Sequence, residues 1–294
     1  MRIVVMGPAG KMGRLVVKEA LGRRREFMIV GGVVPEGREY VRQDIGKATG
    51  DGFVGATLYD DLEFCIPIAE GVIDFTNPEA TMKAVRKCIE YRRPIVIGTT
   101  GFSEKQMNEI KYAAKKIPII LAANTSKTTN LMYEMVELAA KALGLEADVE
   151  IIDTQDNKKA DAPSGTSKEL GRLVAEARDQ NFEEVARFGR EGKRGENEIG
   201  FHSIRGGDTT GAHTVYFGLN GETLEITHRA SDWTIYAKGA LEAMLFLKGR
   251  KPGLYTFKDV INASLGIEPE EPDEEESKFD EGIQIMFEGG LELW

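Results

Sequence analysis

The first half of the chain alternates short apolar runs, rich in β-branched residues, with longer amphipathic stretches. The short runs have the length and composition of buried strands, and the longer ones have helical spacing. Strand and helix in alternation predict a parallel, doubly wound sheet with helices on both faces. The predicted strands are residues 2–6, 28–34, 72–75, 94–97 and 118–122, and the predicted helices are 15–20, 79–91 and 103–116.

A glycine-rich turn separates the first predicted strand from the first helix. Gly7, Gly10 and Gly13 recur at every third position directly after the strand. Glycines at such a place allow a tight turn, a close approach of the backbone to a pyrophosphate, and close packing of helix on strand. The spacing differs from the commoner Gly-x-Gly-x-x-Gly, so a plain turn is the alternative. Its position after a strand favours a dinucleotide site.

The residues that follow the second predicted strand bear on whether NADH or NADPH is bound. An acidic residue about 20 positions past the glycine turn commonly binds the adenosine ribose. Glu36 is the candidate, but Arg38 follows closely and is suited to a 2'-phosphate. NADH and NADPH therefore both remain open.

Glycines and threonines follow the later strands of the series. In a parallel sheet, ligands bind outside the carboxyl ends of the strands, so the residues at these ends are expected to surround one crevice with the glycine turn. The residues concerned are Phe75, Gly98, Thr99, Thr100, Ala122, Ala123, Asn124 and Thr125.

A second motif, residues 158–166, places lysines just ahead of a helix start. Ser164 is a good N-cap, and the following residues 167–178 have helical spacing. The backbone N–H groups of Gly165 and Thr166 would then point outward, where the helix dipole favours a carboxylate or phosphate. An ordinary capped surface helix is the alternative, and the glycine turn elsewhere in the chain favours the anion site.

These motifs, in this order, resemble the 4-hydroxy-tetrahydrodipicolinate reductase (dihydrodipicolinate reductase) family, which reduces a cyclic imine dicarboxylate with NAD(P)H in lysine biosynthesis. The most specific elements are Gly-Thr-Thr-Gly-Phe at 98–102 and Asp-Ala-Pro-Ser-Gly-Thr at 161–166. The resemblance covers residues 1 to about 266 and includes further short motifs at 7–13, 73–76, 122–124, 206–214, 225–231 and 253–255.

The resemblance implies a Rossmann-type α/β domain plus a second α+β domain with a mixed or mostly antiparallel sheet. The implied dinucleotide-binding domain comprises 1–125 and 240–266, and the substrate-binding and oligomerisation domain comprises 126–239. It implies NADPH or NADH as cofactor, an imine carboxylate as substrate, and a homotetramer or homodimer. The implied cofactor-binding residues are Gly7, Pro8, Ala9, Gly10, Lys11, Met12, Gly13 and Glu36, with the eight strand-end residues named above.

The chain departs from the family pattern around the implied substrate pocket. Gln155 and Asp156 stand where the family has two adjacent histidines, one of them regarded as the proton donor. Trp233 stands at an arginine of the pocket, and Thr125, Lys127 and Thr128 replace residues that follow the Ala-Ala-Asn motif. We interpret His202, His213 and His228, which lie in strand-like contexts, as packed or hydrogen-bonded sheet residues rather than acids.

Lys159 is retained and is the candidate proton donor, with Gln155 at the family's catalytic position. The implied substrate-binding residues are Ser164, Gly165, Thr166, Lys127, Asp156 and Trp233. Because the changes converge on one pocket, altered specificity is favoured over neutral drift, although Lys127 could restore a positive charge. Two further alternatives are a dinucleotide-binding protein without turnover and an assembly partner acting through the C-terminal segment.

Composition agrees with a cytoplasmic enzyme of two domains. The 294 residues contain 41% hydrophobic residues and no apolar stretch that would span a membrane. The first residues are expected to form a core strand rather than a signal peptide. Cys65 and Cys88 have no metal-ligand spacing and suit buried thiols in a reducing compartment, so no metal is expected.

Charge is concentrated at the C-terminal end. Residues 267–294 contain eleven acidic residues and one lysine, which accounts for the net charge of −10 and leaves the rest of the chain neutral. A neutral body with an acidic end argues against nucleic-acid binding. This extension is expected to be partly docked: residues 268–281 as a solvated acidic segment, and 283–287 as a strand on a sheet edge.

Overall fold

The computed structural model describes residues 1–268, which build two sheets with helices packed on them. The expected strand at 283–287 lies outside the described residues. The first part of the chain contains β1 (Arg2–Met6), α1 (Lys11–Gly22), β2 (Met28–Val33), α2 (Ile45–Thr49), β3 (Leu58–Tyr59), β4 (Gly71–Asp74), α3 (Pro78–Tyr91), β5 (Ile95–Ile97), α4 (Glu104–Ala114) and β6 (Pro118–Leu121).

The later part supplies the second sheet and then returns to the first. Its elements are α5 (Lys127–Leu143), β7 (Asp148–Gln155), α6 (Gly165–Ala177), α7 (Phe182–Val185), β8 (Ala186–Phe188), β9 (Ile199–Arg205), β10 (Gly211–Leu219), β11 (Glu222–Ala230), α8 (Thr234–Leu247), β12 (Gly253–Tyr255) and α9 (Phe257–Ser264). Single turns of 3-10 helix occupy Leu62–Phe64, Ile66–Ile68 and Gly144–Glu146.

The first sheet has seven parallel strands in the order β12-β6-β5-β4-β1-β2-β3. Its central strands are buried on both faces, as expected of a parallel sheet covered by helices. One apolar cluster packs between the sheet and helices α1, α8 and α9, and a second packs under α3 and α4. The predicted doubly wound sheet is therefore confirmed.

Local capping explains where several of these helices begin. Asn77 caps α3 by accepting a hydrogen bond from the Ala80 N–H at 3.0 Å, and Pro78 occupies the first helical position. Ser103 and Gln106 form a reciprocal capping box at α4. Because these interactions lie within three residues along the chain, the sequence predicts these helix starts closely.

The second sheet has five strands in the order β11-β10-β7-β9-β8. Strands β11, β10 and β7 pair antiparallel, whereas β7, β9 and β8 pair parallel, which confirms a mixed sheet. One face packs on α5 and α6 through a third apolar cluster that includes Val149, Ile151, Val215 and Phe217. The alternation of β7 places residues 149, 151, 153 and 155 on this covered face.

Helix α8 and strand β12 return the chain to the first sheet. Strand β12 pairs with β6, and Leu241 and Met244 of α8 are fully buried with residues of β1 and β4. Gly239 of α8 lies so close to the segment that follows β6 that an added Cβ would stand 1.6 Å from the Thr125 carbonyl oxygen. The expected domain limits at 125/126 and 239/240 stay predictions. Within residues 1–268, no helix is long and apolar enough to cross a bilayer.

Candidate functional site

The glycine turn has the backbone geometry that the motif predicts. Gly7 has φ +64°, in the left-handed region that favours glycine, and the Gly10 N–H donates to the Gly7 carbonyl at 2.9 Å. An added Cβ at Gly13 would lie 2.1 Å from the same carbonyl oxygen. Helix α1 has no side-chain cap at Gly10, which leaves N–H groups of its first turn available to an anion.

Three strand ends meet beside this turn. The Phe75 ring fills the space where a Cβ at Gly98 would lie, 2.0 Å from the nearest ring atom. The Thr76 N–H donates to the Thr99 hydroxyl at 3.0 Å, and the Thr76 methyl group lies against Gly7. The structure therefore brings the ends of β1, β4 and β5 together, as the strand-end rule predicts.

The remaining predicted cofactor residues differ in accessibility. Glu36 and Arg38 are exposed after β2, as are Lys11, Thr100 and Ala123, whereas Pro8 and Ala122 are buried. Thr125 is 1% exposed, and its hydroxyl donates to the Tyr236 carbonyl at 2.7 Å. The Thr125 side chain thus contacts α8, and its expected contact with a cofactor stays a prediction.

A buried carboxyl group, Asp74, lies at the end of β4. Its Oδ1 accepts a hydrogen bond from the Thr76 hydroxyl at 2.6 Å, whereas its Oδ2 has no hydrogen-bond partner among residues 1–268. Burial raises the pKa of Asp74, outweighing the hydroxyl groups of Thr76 and Thr81, which lower it. The sequence gives no distinct signal for this residue, because a single acidic residue at the end of a strand forms no recognisable motif.

Ser164 caps α6 as predicted, but its hydroxyl is directed into the protein. Its Oγ accepts a hydrogen bond from the Ser167 N–H at 3.2 Å and lies 3.1 Å from Nε2 of His213, and the residue is 3% exposed. Gly165 is exposed, and Thr166 is half-buried. The outward part of this helix start therefore consists of Gly165 and Thr166.

A buried polar cluster that was not predicted from the sequence lies directly beneath α6. Asp153 accepts hydrogen bonds from the Ser164 N–H at 2.8 Å and from the Arg205 guanidinium at 2.9 Å. Gln155, at the position of the family's catalytic histidine, is 9% exposed, and its amide nitrogen lies 3.2 Å from Asp153 and 3.3 Å from His213. Its side chain is a member of this cluster.

His213 and Asp153, the two titratable groups at the centre of this cluster, differ in their protonation state at neutral pH. Burial lowers the pKa of His213 to about 4, although the nearby Asp153 carboxylate opposes this shift. Burial raises the pKa of Asp153, but the Ser164 N–H, Arg205 and His213 outweigh it, so the net shift is downward. At neutral pH the cluster therefore contains a neutral imidazole and an ionised carboxylate.

We expect His213 to make the folded state less stable as pH falls. An unfolded histidine titrates near 6.5, above the folded value of about 4, so the unfolded chain binds the proton first, and stability is lost between these pH values. The full shift corresponds to about 3 kcal/mol of unfolding free energy. We expect the unfolding free energy, measured by urea denaturation at one protein concentration, to fall less between pH 7 and pH 4.5 in His213→Gln than in the wild-type protein. Equal declines in the two proteins would contradict the assignment.

The three histidines are hydrogen-bonded strand residues, as predicted. His202 Nε2 lies 2.6 Å from the Glu150 carboxylate, which also pairs with Arg190 and Arg194. His228 Nε2 lies 3.0 Å from the Thr128 hydroxyl.

The charged residues of the predicted pocket are already engaged in pairs. The Lys159 ammonium lies 2.5 Å from Asp161, and this contact lowers the pKa of Asp161. Asp156 accepts a hydrogen bond from the Lys158 N–H at 2.7 Å. Lys127 pairs with Glu242 of α8 at 3.5 Å and lines a cavity between α8 and α9, so the structure does not place it with Gly165 and Thr166.

Aromatic residues at the start of α8 contact the glycine turn. The Lys11 ammonium lies 3.3 Å from the centroid of the Trp233 ring, and the Trp233 and Tyr236 centroids are 5.6 Å apart. The structure therefore brings the glycine turn and the start of α8 together.

The fold defines a class: proteins in which a Rossmann-type parallel sheet is combined with a second, mixed sheet. Models of the N-terminus and C-terminus of dihydrodipicolinate reductase match residues 1–125 and 128–261. The chain belongs to the dihydrodipicolinate reductase family.

Relatives and solved structures agree with this assignment. The 4-hydroxy-tetrahydrodipicolinate reductase of Alkalilimnicola ehrlichii is 42% identical over 263 residues, covering 88% of this chain and 98% of that protein. That of Pseudomonas fluorescens is 41% identical, covering 89% and 98%. The dipicolinate-bound dihydrodipicolinate reductase of Paenisporosarcina sp. TG-14 shares the fold, with a TM-score of 0.72, 23% identity, and coverage of 87% and 97%.

Proposed function

We propose that the protein is an NAD(P)H-dependent reductase of a cyclic imine carboxylate. The observation that carries this proposal is the glycine turn, where Gly7 is in the left-handed region and the first turn of α1 has no side-chain cap, so its backbone N–H groups can receive a pyrophosphate. The exposed start of α6 at Gly165 supplies the proposed carboxylate site. The names of the relatives in Alkalilimnicola and Pseudomonas support the same reaction class.

The residues of the glycine turn fit a dinucleotide. Gly13 approaches the Gly7 carbonyl too closely for any side chain, and the first turn of α1 has no side-chain cap, so backbone N–H groups can receive a pyrophosphate. When bound, a reduced nicotinamide would supply the hydride. Glu36 would accept from the adenosine ribose, or Arg38 would pair with a 2'-phosphate, and both residues are exposed after β2.

At the other end, the N–H groups of Gly165 and Thr166 would hold one substrate carboxylate. Lys159, on the loop that precedes this helix, would supply the proton to the imine nitrogen and would complement the carboxylate charge. Gln155 is neutral and buried against Asp153 and His213, so its role would be to hold this loop over the cluster. An iminium substrate that arrives protonated would need the lysine only for its charge.

The same pocket is less suited to a second carboxylate. Lys127 is paired with Glu242, Asp156 adds a negative charge, and Trp233 offers one neutral N–H. A buried like-charge contact costs several kcal/mol, on the order of a hundredfold in affinity. We therefore propose that 4-hydroxy-tetrahydrodipicolinate is a poor substrate. A dinucleotide-binding protein without turnover remains the second candidate, favoured by the glutamine at the family's catalytic position.

The test is NAD(P)H oxidation against a panel of cyclic imines with one or two carboxylates, with the Alkalilimnicola relative assayed beside it. We expect turnover on at least one monocarboxylate, and a kcat/KM on the dicarboxylate about a hundredfold or more below that of the relative. Equal kcat/KM values of the two proteins on the dicarboxylate would show that this protein has the same specificity as the relative. Turnover on no imine, together with measurable cofactor binding, would favour the second candidate.

The proposal also includes an oligomeric state and a cellular location for this protein. The uncovered face of the five-stranded sheet carries Ile204, which is 52% exposed, and supports a homotetramer or homodimer formed through that sheet. Light scattering would distinguish these states from a monomer. Cys65 and Cys88 are buried free thiols, which supports a cytoplasmic location that cell fractionation would test.

A further inference from the structure

Arg205, the last residue of β9, contacts the loop of residues 156–163, which carries Lys159 and is called the Lys159 loop below. Its Nη2 donates hydrogen bonds to the backbone carbonyl of Asp161 at 2.7 Å and to the Asp153 carboxylate at 2.9 Å. Its Nη1 donates to the Asp153 carbonyl at 3.2 Å. The side chain is only 17% exposed, so water competes little for these contacts. One guanidinium therefore joins the Lys159 loop to strand β7.

The two ends of the Lys159 loop are held by other hydrogen bonds. At its beginning, the Gly206 N–H donates to the Gln155 carbonyl at 3.1 Å. At its end, the Ser164 N–H donates at 2.8 Å to Oδ2 of Asp153, the same oxygen that Arg205 contacts. Arg205 therefore holds the stretch between two fixed ends, directly before the start of α6.

Asp161 connects Arg205 with the Lys159 ammonium. The Asp161 carboxylate lies 2.5 Å from the Lys159 ammonium, while the Asp161 carbonyl accepts the hydrogen bond from Arg205. Both partners of this ion pair are partly exposed, and an exposed pair holds a long side chain only weakly. The position of the ammonium therefore depends on how firmly the backbone of Asp161 is held.

Charge compensation of the buried Asp153 carboxylate does not by itself account for an arginine at this position. A lysine would supply the same charge as a single ammonium group. The planar guanidinium instead presents several N–H groups in fixed directions, which suits binding to two separate acceptors at once. Here the second acceptor is the Asp161 carbonyl, which carries no charge to be compensated.

We propose that Arg205 is a positioning residue of the imine reduction, which fixes Asp161, and through it the Lys159 ammonium, relative to the start of α6. This inference rests on the proposed function and adds the residue that keeps its proton donor in place. Arg205 acts through Asp161 rather than on the substrate. Its loss should therefore lower kcat and leave cofactor binding intact, because the glycine turn belongs to the other sheet.

The test is Arg205→Lys in the full-length protein, a change that keeps a positive charge beside Asp153 and removes the planar fork. We expect kcat on the best imine of the panel to fall about tenfold to 100-fold, because small displacements of a reacting group have effects of this size. The KM for NAD(P)H should stay within about twofold of the wild-type value. Hydrogen exchange of the substrate-free protein should be faster at the backbone amides of the Lys159 loop by about tenfold or more.

Arg190→Lys is the matched control. Arg190 follows β8 in the same sheet, is 21% exposed, and donates to the carboxylates of Glu150 and Glu198. The same substitution there should leave kcat and exchange of the Lys159 loop within about twofold of the wild-type values. Equal kcat and equal loop exchange in the two variants would overturn the inference.

A double-mutant cycle tests the connection through Asp161. Asp161→Asn keeps the carbonyl that Arg205 contacts and removes the carboxylate beside Lys159, so it should also lower kcat by about tenfold. If the two residues act in one chain of contacts, combining Asp161→Asn with Arg205→Lys should cost no more than about threefold beyond the more damaging single change. Losses that multiply, or a kcat that Asp161→Asn leaves unchanged, would overturn the connection.

Failure of this inference is distinguishable from failure of the proposed function. Imine turnover that Arg205→Lys and Arg190→Lys leave alike would keep the reductase and remove the role of Arg205. Absence of turnover on every imine, together with faster exchange of the Lys159 loop in Arg205→Lys alone, would remove the reductase and keep Arg205 as the residue that holds the loop.

Discussion

Replacing Lys159 with methionine is expected to lower kcat by about 100-fold to 10,000-fold, the range typical of removing a general acid. Methionine keeps the length of the side chain and removes the ammonium that would protonate the imine nitrogen. Gln155→Ala is expected to cost far less, because the amide is buried against Asp153 and His213 and has no proton to give near neutral pH. The measurement is steady-state kcat on the best imine of the panel.

Lys158→Met is the matched control for this comparison. Lys158 is the adjacent lysine of the same exposed loop, whereas Lys159 is the one paired with Asp161. Its substitution should leave kcat within a few-fold of the wild-type value. Small and equal losses from Lys159→Met and Gln155→Ala would show that the proton comes from solvent or from another residue.

Adding one methyl group at Gly13 is expected to disable the dinucleotide site. The new Cβ would lie 2.1 Å from the Gly7 carbonyl oxygen, a contact that only a displacement of the turn or of α1 can relieve. A backbone displacement of this kind misplaces the N–H groups that face the pyrophosphate, so affinity for NAD(P)H should fall on the order of 100-fold. Overpacking should also destabilise the fold by about 1 to 3 kcal/mol.

Gly22→Ala provides the control in the same helix. An added Cβ at Gly22 would meet no atom within 4 Å, so this substitution should stabilise the protein by about 0.4 to 1 kcal/mol and leave cofactor affinity unchanged. Fluorescence titration with NADH or NADPH, together with urea denaturation, measures both quantities. Cofactor affinity that Gly13→Ala does not alter would remove the glycine turn as the binding site.

The parts of this molecule that the sequence predicts well depend on short-range patterns. The parallel sheet follows from alternating apolar and amphipathic runs, and the start of α6 follows from Ser164 and its next three residues. The glycine turn is likewise specified within seven residues. In each case the interacting groups are close along the chain, so spacing alone determines the geometry.

Short-range patterns do not predict contacts between residues that are far apart along the chain. Lys127 was expected in the substrate pocket, but its partner, Glu242, lies on a helix more than a hundred residues later. Trp233 and Lys11 meet although they are at opposite ends of the described chain. A usable signal did exist for Gln155, because it continues the alternation of Val149, Ile151 and Asp153 on the covered face of β7.

The return of β12 to the edge of the first sheet also determines when that sheet is completed during synthesis. Strands β1 to β6 lie within the first 121 residues to be synthesised. Helix α8 and strand β12, which cover and extend these strands, are synthesised only after all strands of the second sheet. Until then, the surface that receives Leu241 and Met244 has no helix on it. A nascent chain ending before residue 234 would therefore expose apolar surface of the first sheet, and the second sheet would be the first of the two that can be completed.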